Sequence, residues 1–183
     1  MKNGFLITLT LVIASYICST GQDIQQIRKL YNMYAAQISA CESGAEECEL
    51  YCNTQKTNAL NQVWRGVGAY SSTLKFWYDD SPSNCDECGE DGIYVLKKVV
   101  KETVSGQYII HEEWLFSNGE LTFYYLKNNE EQMIEDRLYL ANGKPFLYSE
   151  NGVETDLNAL SNEYLAGLLS KAKNLQKLFL LGF

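Results

Sequence analysis

Two Asn-Gly pairs, Asn118-Gly119 and Asn142-Gly143, constrain this chain more than any other feature of it. Asn followed by Gly tolerates positive φ at both central positions of a two-residue turn, and such a turn matches the right-handed twist of the strands it joins. Each pair therefore predicts an antiparallel hairpin, the first joining residues 108–116 to 121–127 and the second joining 137–140 to 146–148. The two segments, WLFSNGELTFY and LYLANGKPFLY, read as one hairpin used twice, too few copies for a solenoid. Pro145, beside the second turn, suits a strand end or an edge.

Around these hairpins the periodicity changes from two to between three and four. Ile24, Ile27, Tyr31, Tyr34, Ala35 and Ile38 form one apolar stripe over residues 23–40, with Asp23 placed to cap it. A longer stripe from Leu157 through Leu165, Leu168, Ala172 and Leu175 to Phe179 predicts a C-terminal helix that stops at Gly182. Residues 63–78 and 93–104 are rich in strand formers, and Ser105-Gly106 marks a turn before 108–116. Residues 41–61 read as a stapled connection with a short helical turn across Cys48 and Cys52. The predicted class is α+β, with an antiparallel sheet of about five to seven strands packed with an N-terminal and a C-terminal helix. Helices on one face would leave the other face free.

The N-terminus has the three-part plan of a secretory leader: Lys2, an uncharged and mostly apolar run over residues 5–18, and small Ser19 and Gly21 before Gln22. The apolar run is shorter than the ~20 residues a membrane-spanning helix needs. The expected organisation is a signal peptide over 1–21 and a single domain over 22–183, secreted or periplasmic. Lipid anchoring at Cys18 is disfavoured because bulky Ile17 precedes it. The formal net charge of -8 repels nucleic acid, so no nucleic-acid partner is expected.

Cys41, Cys48, Cys52, Cys85 and Cys88 remain beyond the leader, an odd number that predicts two disulfides and one thiol left over. A four-thiolate zinc site and a redox role for Cys85 and Cys88 are both disfavoured by the carboxylates around them. Asp79, Asp80, Asp86, Glu87, Glu90 and Asp91 raise calcium as a possibility, but their spacing is not that of an EF-hand, and a solvated acidic loop explains them. No metal and no cofactor is expected.

With two-residue turns, Trp114 pairs with Phe123, His111 with Leu126, Glu113 with Tyr124, Arg137 with Tyr148 and Tyr139 with Phe146. His111, Glu113, Tyr124, Arg137 and Tyr148 then form a candidate ligand-binding surface of mixed aromatic and charged character. Decoration of a solvated face accounts for the same residues. No catalytic residue is assigned, because the single histidine, His111, stands without a nucleophile or an oriented third group. A carboxylate pair, Glu112 or Glu113 with Asp136, is the enzymatic alternative.

The C-x6-C-x3-C segment from Cys41 to Cys52, VWRGVGAY followed by LKFWY, and the Asn-Gly hairpins resemble small secreted bacterial proteins of no assigned function with an α+β layout. A looser similarity is to the cone-shaped cystatin-like and nuclear transport factor 2-like folds. The resemblance implies the compartment and layout and brings no catalytic residues. The expected function is a non-enzymatic binding domain for a protein, glycan or small-molecule partner, with a hydrolase of extracellular glycans or a structural envelope component as alternatives.

Overall fold

The computed structural model describes residues 3–45, 48–66, 68–80, 94–129 and 133–182, with residues 3–22 described for their backbone alone. Helix α1 runs Asn3–Glu42, so the expected leader occupies its first half. The strands are β1 (Tyr51–Thr57), β2 (Val63–Trp64), β3 (Gly68–Asp79), β4 (Val95–Ser105), β5 (Tyr108–Ser117), β6 (Glu120–Asn128), β7 (Ile134–Ala141), β8 (Lys144–Glu150) and β9 (Val153–Thr155). A turn of 3-10 helix at Leu157–Ala159 precedes α2, Asn162–Leu180. The sheet is wholly antiparallel, ordered β1-β3-β4-β5-β6-β7-β8-β9, with β2 also on β3, so from β3 onward each strand pairs with the next in the chain.

The class is α+β as expected, with nine strands among the described residues where about five to seven were expected. Both predicted turns form, with φ of 50° and 74° at Asn118 and Gly119 and of 51° and 70° at Asn142 and Gly143. A third pair, Asn151-Gly152, makes the same turn at φ 51° and 80° and adds β9. The stretch expected as a stapled connection holds β1, so Cys52 lies on an edge strand rather than on a helical turn.

The two helices do not share a face. Tyr34, with Ile24, Ile27, Tyr31 and Ile38 of α1, packs on Trp77, Leu115, Phe123 and Tyr139. Leu168, Ala172, Leu175 and Phe179 of α2 pack on Phe76, Val99, Trp114 and Leu138 on the opposite side. Both faces of the sheet are therefore covered, and the expectation of one free face is corrected. Ser161 caps α2 by accepting a 3.0 Å hydrogen bond from the Tyr164 amide, satisfying one of the helix's unpaired N–H groups. A disulfide between Cys41 and Cys48 ties the end of α1 to the chain entering β1. No helix among the described residues is long and apolar enough to cross a membrane.

Three register shifts decide which side chain faces which helix. Near the first Asn-Gly turn Phe116 pairs with Leu121, yet Leu115 pairs with Phe123, leaving Thr122 as an additional residue. Near the second, Leu140 pairs with Pro145 and Tyr139 with Leu147, leaving Phe146 as the additional residue. Between Trp77 and Tyr78 the same happens opposite Lys97. Each such β-bulge reverses the alternation of side chains beyond it.

Candidate ligand-binding groove

The bulges divide the five residues expected on one surface. His111, Glu113 and Arg137 face α1, whereas Tyr124 and Tyr148 face α2. Past Thr122 the partner of Glu113 is Tyr125 and that of Trp114 is Tyr124. Past Phe146, Ser149 lies opposite Arg137 and Tyr148 opposite Leu138. The single surface inferred from uninterrupted two-residue hairpins is thus replaced by two sites on opposite sides of the sheet.

On the α2 side, the Tyr124 hydroxyl donates to Glu112 Oε1 at 3.2 Å, and Lys171 Nζ reaches the same oxygen at 2.5 Å while lying 4.9 Å from the centre of the Trp114 ring. Lys101 approaches the other Glu112 oxygen at 3.6 Å. Tyr148 donates to Asp136 at 3.1 Å. Burial raises the pKa of Asp136, and burial followed by the neighbouring carboxylates raises those of Tyr124 and Tyr148. Glu112 and Asp136 share this face in register with Leu126, which sits between them, and Glu113 is separated from Asp136 by the sheet. Of the two carboxylate pairs considered from sequence, the one with Glu113 is therefore excluded by geometry. Both acids of the other pair are engaged as acceptors of cations or hydroxyl groups.

On the α1 side the centre is a buried ionic cluster. Lys98, 3% exposed, places Nζ 2.8 Å from Glu113 Oε2 and 4.1 Å from the centre of the Tyr31 ring. His111 Nε2 lies 2.8 Å from Glu113 Oε1. Burial alone would raise the Glu113 carboxyl, but hydrogen bonds from His111, Lys98 and the Tyr31 hydroxyl, with the Lys98 charge, outweigh it and hold the pKa at about 2. Burial, reinforced by Glu113, pushes the Tyr31 hydroxyl up. The cluster fixes Tyr31 across the sheet, and a concavity opens on each side of that ring.

The larger concavity is a groove of about 540 Å³ between α1 and strands β6 to β9. Its walls are Tyr31 and Ile27 of the helix and Phe123, Tyr125, Tyr139 and Leu147 of the sheet. Tyr31 meets Phe123 edge-on at 5.4 Å between ring centres, and Phe123 meets Tyr139 at 4.9 Å, so these rings brace one another. Arg28 enters from the helix and Arg137 from the sheet. The second concavity, about 420 Å³, lies beyond Tyr31 and is lined by Ala35, Ile38, Thr73, Lys98 and His111 among others.

Tyr31, Lys98, Tyr125 and Tyr139 were not singled out from the sequence. Tyr31 belongs to the apolar helical stripe, where it reads as core, and Tyr125 faces α1 because the bulge at Thr122 places it opposite Glu113. The alternation of Arg137 with Tyr139 on β7 was the one available signal for the sheet side of the groove. Cys52 is a free thiol among the described residues, and Cys85 and Cys88, with Asp86, Glu87, Glu90 and Asp91, lie outside them. No group of three or more potential metal ligands occurs among the described residues. Set against known protein families, curated proteins and solved structures, the chain matches none.

Proposed function

We propose that this chain is a secreted or periplasmic binding domain that holds a small molecule with apolar, ring-bearing surface in the groove between α1 and the sheet. The observation that carries the reading is the concavity itself: about 540 Å³, walled by four aromatic side chains and two aliphatic ones, with Arg28, Asn32, Arg137, Ser149 and Glu154 as its polar lining. Small-molecule sites of ~300–1,000 Å³ have this make-up. The floor is rigid because it is formed by paired strands, and the helix over it is fixed by the Lys98, Glu113 and Tyr31 cluster. The disulfide at Cys41 and Cys48 supports an oxidising compartment.

A neutral aromatic probe tests it. Phenylnaphthylamine fluorescence should rise saturably with one site per chain. Ser149 lines the groove from β8, so Ser149→Trp should fill it and abolish the signal, while Tyr164→Ala on the α2 side should leave the signal intact. Binding that is absent, or that is indifferent to Ser149→Trp in a folded protein, would reject the groove as the site.

A further inference from the structure

We infer that the ligand carries an anionic group, a carboxylate, sulfonate or phosphate, gripped between Arg28 on α1 and Arg137 on β7. The inference rests on the groove being the ligand site and adds the chemistry of what enters it. The chain has Asp and Glu in clear excess over Lys and Arg, 23 against 15, and its net charge is -8. The groove departs from that acidic balance, with two guanidinium groups and a single carboxylate, Glu154, among its lining residues and Glu135 paired to Arg137 beside them. Arginine is the scarcer basic residue here: Arg28, Arg65 and Arg137 are its only occurrences, and two of the three line one concavity.

The two side chains are held differently, as the halves of a clamp would be. Arg137 is fixed on the floor by an ion pair from Nη2 to Glu135 and by the Tyr125 ring, whose centre lies 5.6 Å from its guanidinium carbon. Guanidinium has five N–H donors in a planar fork, so the bond to Glu135 leaves others for a ligand. Arg28 lies one helical turn before Tyr31 and is exposed, and no ion pair of its guanidinium occurs among the described residues. It faces the groove from the opposite wall. An anion placed between them would receive charge-assisted hydrogen bonds from both sides while its apolar part rests on Tyr31, Phe123 and Tyr139.

The experiment compares two probes that share a ring system and differ by one charge: anilinonaphthalene sulfonate and neutral phenylnaphthylamine, titrated into the folded full chain. The sulfonate should bind about tenfold or more tightly, because its charge-assisted hydrogen bonds have no counterpart in the neutral probe. Arg28→Ala and Arg137→Gln should each weaken the sulfonate by about that factor and phenylnaphthylamine by much less, so that the ratio of the two affinities falls. Glu154→Gln should tighten the sulfonate alone, and added salt should weaken the sulfonate alone. Arg28 is an exposed helix residue, so its variant folds even if the Arg137 variant does not, and circular dichroism melts report on both. Equal affinity for the two probes, or sulfonate binding indifferent to Arg28→Ala, would overturn the anion clamp while leaving the groove reading in place. Failure of both probes to bind would overturn the groove reading as well.

Discussion

Replacing Lys98 by methionine tests the buried cluster that seats α1. Lys98 is 3% exposed and Glu113 8%, and their charged atoms are 2.8 Å apart. Methionine preserves the length and apolar stem of the side chain but leaves the Glu113 carboxylate without its ammonium partner. Breaking a buried pair by removing one partner costs about 3–5 kcal/mol, most of it the penalty of the uncompensated charge. The lost cation over the Tyr31 ring adds to this. For a chain of this size 1 kcal/mol shifts the melting temperature by about 2–4 °C, so Lys98→Met should lower it by roughly 6–20 °C at neutral pH. The double variant Lys98→Met, Glu113→Leu removes both charges and should recover most of the loss, because an apolar pair of similar volume often equals the ion pair it replaces. Urea denaturation of the wild type, both single variants and the double variant closes the cycle. A loss below about 1 kcal/mol in Lys98→Met, or strictly additive losses in the double variant, would refute the reasoning.

Glu113 is held at about 2 against an ordinary 4.5, so its stabilising contribution is complete above pH 4.5 and is lost as the pH falls through about 2. The stability difference between wild type and Glu113→Gln should accordingly narrow over that interval in acid-unfolding curves. Tyr124, 4% exposed and bonded to Glu112, should cost about 3–5 kcal/mol when changed to Ala, measured by thermal melts, whereas a residue decorating a solvated face would cost less than about 0.5 kcal/mol. Reduction of the Cys41–Cys48 disulfide, or Cys48→Ser, should cost about 2 kcal/mol by urea denaturation, near the low end of the usual range because only a short loop is closed.

The hairpins and helices were legible because each rests on local chemistry. Asn118-Gly119 and Asn142-Gly143 are a residue pair strongly favoured in the turn they make, and the spacing of Leu168, Ala172, Leu175 and Phe179 is that of a helical stripe. Asn151-Gly152 carried the same signal and marks β9. The assignment of side chains to faces was not legible, and the reason is the pair of helices. With α1 on one side and α2 on the other, residues such as Leu121, Phe123, Tyr124 and Tyr139 are all buried, and β6 and β8 become nearly unbroken apolar runs. Alternation vanishes where both faces are covered, so nothing in the sequence marks Thr122 and Phe146 as the additional residues that reverse it. His111, Glu113 and Arg137 therefore share the α1 side of the sheet, His111 and Glu113 along one concavity and Arg137 along the other, while Tyr124 and Tyr148 lie on the α2 side. The groove needs α1 laid across those strands, and a long-range packing of that kind leaves no motif.

The most direct test of the groove as a ligand site is a two-dimensional amide spectrum of the labelled protein titrated with anilinonaphthalene sulfonate. Shifts confined to Arg28, Tyr31, Tyr125, Arg137 and Ser149, saturating with a single site and leaving Glu112, Tyr164 and Lys171 unmoved, are predicted. Shifts centred on Glu112, Tyr164 and Lys171 beneath α2, or spread evenly over both faces of the sheet, would contradict it.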